Sequence, residues 1–529
     1  MRKNIIVRLL TVTAMLVMVV CLTLGSGTVY GIEGLKDRDW VTSYEEHEIY
    51  PGVMAYDLVS SETSKFLLNH IHIVEFDPAQ SDLYVAVTNE AQYSNTLKTV
   101  QKTMEDYNAN NPGYTALAGV NGDMWMVSYA HARILGREDL LAKNYKHLAN
   151  DPVVTQSLTI PRGFNVYNGE IISTAHNSAE TPYEGDFTAF GISEDGQVQL
   201  GKPSVTIVVT NNTKGTTFKP NGINRLPSNK AIMMYTDKGP VSNYALEDAF
   251  EIVIDFNEDY IIKHGTNITG TVVGICGPGD ENMPMKENRI ILTARGEKKI
   301  SNVSDYEIGD SITIDITVKD TFKNTEFWQN VYMAVGGHME FSRDGNHSAL
   351  SGESGYPTTI IATTKSGKMM LIEADGRQSG FSVGIPFSAY KDLADELDFE
   401  DAFIVDGGGS ATMVQLAEEG YKLVNRPSDK KSDGTYGSPR TVVNSIIVAA
   451  GPDRNAPPAT EEPTAEPTDE PTAEPTADNV PATSKTNDNS SSNSGSGLEG
   501  GAIAAIIIGA VLIVGIVVGT LVILKKKKA

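Results

Sequence analysis

The sequence predicts an α+β fold: a large mixed β-sheet domain with a few helices, joined to a disordered stalk and one C-terminal transmembrane helix. Three observations carry this. Most of residues 40–450 reads as short runs of alternating apolar residues, two stretches alone keep a helical period, and a long uncharged apolar segment stands near each end.

The two ends of the chain say where the rest must work. Arg2, Lys3 and Arg8 precede or enter an apolar run from about Leu9 to Leu24, which gives way to Gly25, Ser26 and Gly27. This is the layout of a secretory signal peptide, assigned to residues 1–31. Residues 501–524 carry no charge, and residues 525–529 begin with four lysines, Lys525 to Lys528. At about 1.5 Å per residue such a stretch crosses a hydrocarbon core of about 30 Å, and the lysines mark its cytoplasmic end. Residues 451–500 hold Glu-Pro-Thr units at Glu462, Glu466, Glu470 and Glu474, then a Ser/Asn/Gly tract. Proline blocks helix and charge resists collapse, so this segment is an extended stalk. The expected location is the cell membrane, single-pass, with the folded domain outside the cytoplasm.

Charge and cysteine narrow the function. With 43 Lys+Arg against 67 Asp+Glu the net charge is −24, which excludes sequence-independent nucleic-acid binding. Of two cysteines, Cys21 lies in the leader, so Cys276 is alone in the exported chain. An intramolecular disulfide and a cysteine zinc cluster are both ruled out.

Within the exported part, residues 32–114 form an N-terminal β-rich segment and 115–450 the main domain, with 202–318 as an inserted small β unit. Strands are expected at 69–74, 83–87, 204–209, 311–316, 369–374 and 402–405. Helices are expected at 97–107 and 388–397, the second capped by Ser388.

Two strand-to-loop junctions end an apolar run with aspartate and glycine: Asp375-Gly376-Arg377 and Asp406-Gly407-Gly408-Gly409-Ser410. Glycines after a strand turn the backbone sharply and expose consecutive N–H groups, a cradle for a phosphate or an oxyanion. Asp-Gly also makes ordinary turns, but three consecutive glycines lose more entropy on ordering than a turn requires. Arg377 adds a cation able to hold phosphate oxygens bidentately. Asn121-Gly122-Asp123, followed by Trp125, is a third polar cluster, read either as a ligand face or as an Asn-Gly hairpin turn. Gly336-Gly337-His338 ends another strand, with His338 as an acid/base group or a surface histidine. Asn425, Arg426 and Arg440 close the set, as anion ligands or as surface ion-pair partners. His70 and His72 share a strand face with no third ligand in view and read as structural.

The set in this order, Asn121-Gly122-Asp123, Val335-Gly336-Gly337, Asp375-Gly376-Arg377-Gln378-Ser379-Gly380, Asp406-Gly407-Gly408-Gly409-Ser410, Asn425-Arg426-Pro427 and Arg440-Thr441-Val442-Val443-Asn444-Ser445, resembles the phosphodiester glycosidase family. The resemblance covers about Thr115 to Ala449. It implies a hydrolase that cleaves the glycosidic bond of sugar-1-phosphodiesters in glycans or cell-envelope polymers. Asp375, Asp406 and Arg377 are then the catalytic candidates. Asn121, Asp123, Gly337, His338, Gln378, Gly407, Gly408, Gly409, Ser410, Asn425, Arg426 and Arg440 are the substrate-binding candidates. The family commonly carries Pro-Arg-Thr where this chain reads Pro357-Thr358-Thr359, so one expected cation is absent.

A phosphodiester leaves as a stable anion, so charge stabilisation by the three arginines and the Gly407 to Ser410 amides matters more than a strong general acid. Which aspartate acts on water and which steadies the sugar cation is not fixed by the sequence. The same carboxylates, with Asn121 or Asp123, would equally suit calcium or magnesium. A non-catalytic surface module that binds phosphorylated glycans is the alternative. A metal-dependent phosphodiesterase would need a denser His/Asp cluster than the motifs provide.

Overall fold

Alternating apolar residues give strands that bury one face or both, and here both faces are mostly buried. Strand 358–364 sends Ile360 and Ala362 to one core and Ile361 to another, and strand 369–374 divides Met370, Ile372 and Ala374 from Met369 and Leu371 in the same way. This computed structural model describes residues 32–88, 97–124, 161–175, 188–225, 230–238, 248–352 and 355–456. The expected signal peptide, nearly all of the stalk, the transmembrane helix, the lysine tail and Trp125 lie outside them. Among the described residues no helix is long and apolar enough to cross a membrane.

The protein is sheet-rich with few helices, but in place of the expected large mixed sheet with an inserted small β unit the described residues form four sheets. One has eight strands in the order 41–50, 53–60, 70–76, 369–374, 358–364, 399–407, 339–343 and 346–347. A five-stranded sheet orders 420–423, 413–417, 115–121, 445–450 and 83–88. A second five-stranded sheet is built from 165–173, 189–201 and 331–336. All eight strands of the last sheet come from residues 203–320. Among the described residues every ladder is antiparallel except that of Gly222–Ile223 with Ile232–Tyr235. Alternation reports which face of a strand is buried, not which strand it pairs with, so the division into four was not readable from pattern.

Strands from residues 32–114 pair directly with strands from 358–450: His70–Phe76 with Met369–Ala374, and Leu83–Thr88 with Ser445–Ala450. The first eight-stranded sheet and its five-stranded partner enclose a core that includes Val74, Val87, Val120, Leu371, Phe403 and Ile446. The 203–320 sheet shares its own core with Ala334 of the neighbouring sheet, with Phe164 just before that sheet's strand 165–167, and with Trp328 of the short helix Thr325–Gln329.

Helix Val100–Asn110 is capped by Thr99, whose hydroxyl accepts from the Lys102 N–H, and it lays Val100 and Met104 on the five-stranded sheet. The second expected helix starts as a 3₁₀ turn, Phe387–Ala389, before Tyr390–Glu396. Ser388 therefore lies inside the turn and does not cap. The cap position is Ala389, which offers no side-chain acceptor.

Candidate active site

Thr358 opens its strand between Ala374 on one neighbour and Gly407 on the other. Asp375 and the Asp406-Gly407 pair consequently leave the same edge of the eight-stranded sheet, on either side of Thr358. Asn121 ends a strand of the facing sheet, opposite Ser445. Its amide Nδ2 donates to the Asp406 carbonyl at 2.9 Å, while the Asp406 N–H donates to the Gly122 carbonyl at 3.0 Å. Asn121 Oδ1 accepts from the Thr359 hydroxyl and the Thr412 N–H. Fully buried, Asn121 stitches the two sheets together where they meet.

The two aspartates sit in different surroundings. Asp375 is 1% exposed, and both its oxygens accept from the Arg426 N–H at 3.0 Å, with the Asn425 amide at 3.3 Å and His72 Nε2 at 3.7 Å. Asp406 is partly open. Its Oδ1 accepts from the Gly407 N–H at 2.8 Å, and burial by the surrounding protein pushes its carboxyl up to about 6, against the opposing pull of the Ser410 hydroxyl, the Gly407 amide and the charges of Arg440 and Arg162. An aspartate held near neutrality and reachable from solvent is suited to proton transfer.

The glycine run lets cations lie against backbone. Gly408 has φ +64°, and a Cβ there would stand 2.9 Å from Arg377 Nη1. A Cβ on Gly409 would fall 2.1 Å from Arg440 Nη2 and 2.4 Å from Asp429 Oδ1. Arg440 grips Asp429 through Nε and Nη2 at 2.9 and 3.0 Å, and its Nη1 reaches the Ser410 hydroxyl at 3.4 Å. The amides of Gly407 and Gly408 are committed to Asp406 Oδ1 and to the Pro357 carbonyl. An anion cradle at this run cannot include those two donors.

Arg377 is exposed, with φ +59°, and its guanidinium lies 5.8 Å above the Tyr356 ring. Burial raises the Tyr356 hydroxyl to about 12, Asp406 adding to the shift and Arg377 opposing it. Arg426 is held more tightly: its guanidinium stacks 3.4 Å over Phe381, Nε donates to Gln378 Oε1 at 2.5 Å, and its carbonyl accepts from Gln378 Nε2. Gln378 thereby positions Arg426. Asn425 ties this loop to the strand 413–417 by accepting from the Met413 N–H.

Asp123 is buried, accepts from the Gly163 N–H at 2.6 Å and donates its own N–H to Asn444. Burial pushes it up to about 7, Gly163, Arg225 and Arg162 opposing and Asp406 adding. Gly337 packs its backbone on Phe403, whose ring would lie 1.9 Å from a Cβ. His338 is partly buried, and that burial, with Arg162, holds its imidazole below the usual range. Thr358, at the position of the absent arginine, turns into the core: its hydroxyl donates to the Tyr356 carbonyl at 2.8 Å and bonds Tyr390 at 2.9 Å.

Sequence reasoning missed Arg162, a cation near Asp123, Asp406 and His338 that belongs to no motif. It also missed Glu373. Among the described residues one group of three His, Cys, Asp or Glu side chains could hold a metal, and it is His72, Glu373 and Asp375. His72 does have further acidic partners, supplied by a strand some three hundred positions away.

These side chains of the site fall largely within one segment that comparison recognises. Residues 260–449 match the phosphodiester glycosidase family. The matched segment contains Gly337, His338, Asp375, Arg377, Asp406, Ser410, Asn425, Arg426 and Arg440, whereas His72, Asn121, Asp123 and Arg162 lie before it. No curated protein matches the chain. Among solved structures, a hypothetical protein from Synechocystis shares the fold, with a TM-score of 0.52 at 14% identity over 77% of this chain and 64% of that one. This chain thus spans less than two thirds of that protein. A putative exported protein from Burkholderia pseudomallei matches at TM-score 0.49 and 16% identity, covering 72% of this chain and 74% of its own. The catalytic domain of zebrafish N-acetylglucosamine-1-phosphodiester alpha-N-acetylglucosaminidase, auto-inhibited by its pro-peptide, matches at 0.35 and 13%, covering 78% and 88%.

Proposed function

We propose that the protein hydrolyses the glycosidic bond of sugar-1-phosphodiesters. The observation that carries this is Asp406: a partly open carboxylate raised to about 6, set at a sheet edge beside Arg377, Arg440 and Ser410, within the segment that matches a phosphodiester glycosidase family. Arg377 and Arg440 hold the phosphodiester and take up the charge that develops on its oxygen as the C1–O bond breaks. Asp406 in its ionised form takes a proton from water as that water attacks C1, and the phosphomonoester departs without needing a strong acid. Asp375 is a positioning residue, its oxygens engaged by the Arg426 N–H and by Asn425.

The protein acts outside the cytoplasm, tethered by residues 501–524, and protease treatment of intact cells releases the folded domain by cutting the stalk. Protection until lysis would reverse that orientation. The chemical test is incubation with synthetic sugar-1-phosphodiesters in oxygen-18 water. Label in the released sugar supports C–O cleavage, and label in the phosphate indicates a P–O hydrolase. Binding without release of either product favours the glycan-binding alternative, which Thr358 in place of the family's arginine would suit.

A further inference from the structure

The row Asp57, His72, Glu373 and Thr359 runs across four adjacent strands in register. His72 and Glu373 share the sheet face that carries Val74 and Leu371 into the core, so polar groups stand where the pattern supplies apolar ones. Glu373 is 0% exposed, and neither carboxylate oxygen has a hydrogen-bond partner. The donors beside it make their hydrogen bonds elsewhere: the Thr359 hydroxyl to Asn121, and the Asn425 amide, close enough to act on Glu373, to Asp375 and the Ala411 carbonyl. A buried carboxylate with no partner calls for one.

We propose that His72 Nε2, Glu373 and Asp375 bind a divalent transition ion of the zinc class. Their donor atoms lie within 4.8 Å of one another. His72 Nε2 stands 3.7 Å from Asp375 Oδ2, too far for a hydrogen bond and close to the edge of about 3.4 Å in a tetrahedron whose metal bonds are about 2.0–2.1 Å. The other ring nitrogen, Nδ1, meets Asp57 Oδ1 at 2.5 Å, the outer carboxylate that fixes a metal-binding imidazole with Nε2 turned to the ion. Two carboxylates and a neutral imidazole balance a dication. Both oxygens of Glu373 are available, so bidentate binding completes four donors. The nitrogen ligand favours zinc over calcium or magnesium, which prefer oxygen alone.

All three ligands are buried, so the ion does not meet substrate. It joins strand 70–76 to strand 369–374 and, through Asp375 and the Arg426 N–H, fixes the loop that carries Arg426. The site stands or falls independently of the glycosidase reading, because its test uses no substrate.

The full-length chain, purified without a histidine tag, is stripped with chelator, incubated with zinc sulfate and desalted, and its metal is counted by mass spectrometry. About one zinc per chain is expected, with a zinc-dependent rise in melting temperature, and Glu373→Gln is expected to lower zinc affinity at least about tenfold. Glu373→Gln keeps the size of the side chain while removing its charge, so the metal-free variant should melt no lower than the metal-free wild type. His72→Asn is a second variant with the same expected loss of zinc. Wild-type protein that retains no zinc, that takes up only calcium or magnesium, or that is matched in zinc content by Glu373→Gln overturns the proposal.

Discussion

The Arg426 N–H donates to both carboxylate oxygens of Asp375, at 3.0 Å each, so the aspartate that follows the strand 369–374 anchors the backbone of the loop bearing Asn425 and Arg426. That geometry separates its role from that of Asp406. Asp375→Ala leaves the Arg426 amide, the Asn425 side chain and His72 without their shared partner. The expected cost is about 3–5 kcal/mol of folding stability, the scale for breaking a buried charged network from one side. Urea unfolding of the variant beside the wild type measures it, and an unchanged midpoint would refute the anchoring role.

Asp406→Asn should behave in the opposite way. The amide oxygen still accepts from the Gly407 N–H, so the fold stays, while sugar-phosphodiester cleavage drops by about two or more orders of magnitude. The pH profile adds a second reading. Because the ionised carboxylate does the work and its pKa lies at about 6, kcat/KM of the wild type rises with pH up to that value and then levels. In the variant the acid limb disappears from the residual rate. A wild-type profile flat from pH 5 to 8 would assign the proton transfer to another group.

Local chemistry in this protein was legible in the sequence where backbone demands it. Asp375-Gly376 and Asp406-Gly407 do sit at strand ends on one sheet edge, and the glycines of the second run are needed because Arg377 and the Arg440–Asp429 pair lie against them. What stayed hidden depends on pairing. His72 faces Glu373 only because strand 70–76 lies beside strand 369–374, and no periodicity announces that neighbour. Arg162 carries no motif and matters through position alone. The helix cap expected at Ser388 failed because Pro386 begins a 3₁₀ turn ahead of the helix.

Asp123 makes the fold less stable as pH rises from the acid range to neutrality. Its pKa in the folded chain, about 7, lies above the ordinary 3.8, so the folded state binds this proton more tightly than the unfolded state does. Its stabilising share is complete below the unfolded value and is lost as pH rises through about 7. Asp123→Asn keeps an oxygen for the Gly163 N–H and removes the charge. The variant should therefore unfold at a higher temperature than the wild type at pH 8 and show a flatter stability profile between pH 4 and 8. Melting curves that stay parallel at every pH would show that the Asp123 carboxyl does not titrate in this range.

Gly409→Ala tests whether the glycine run exists to seat Arg440. The added methyl would stand 2.1 Å from Arg440 Nη2 and 2.4 Å from Asp429 Oδ1, so the ion pair must move off the backbone. Both partners are about two-fifths exposed, with side-chain exposures of 39% and 40%, so room to move exists and the fold should survive with little loss of stability. Arg440 Nη1 would then leave the Ser410 hydroxyl, which it reaches at 3.4 Å. If Arg440 holds the phosphodiester, KM for the substrate should rise about tenfold or more, on the scale of one charge-assisted hydrogen bond lost to misplacement. Arg440→Ala should give a similar rise, and the double variant should be little worse than either single one, because both changes remove the same contact. Effects that multiply in the double variant would mean that the glycine serves something other than the arginine.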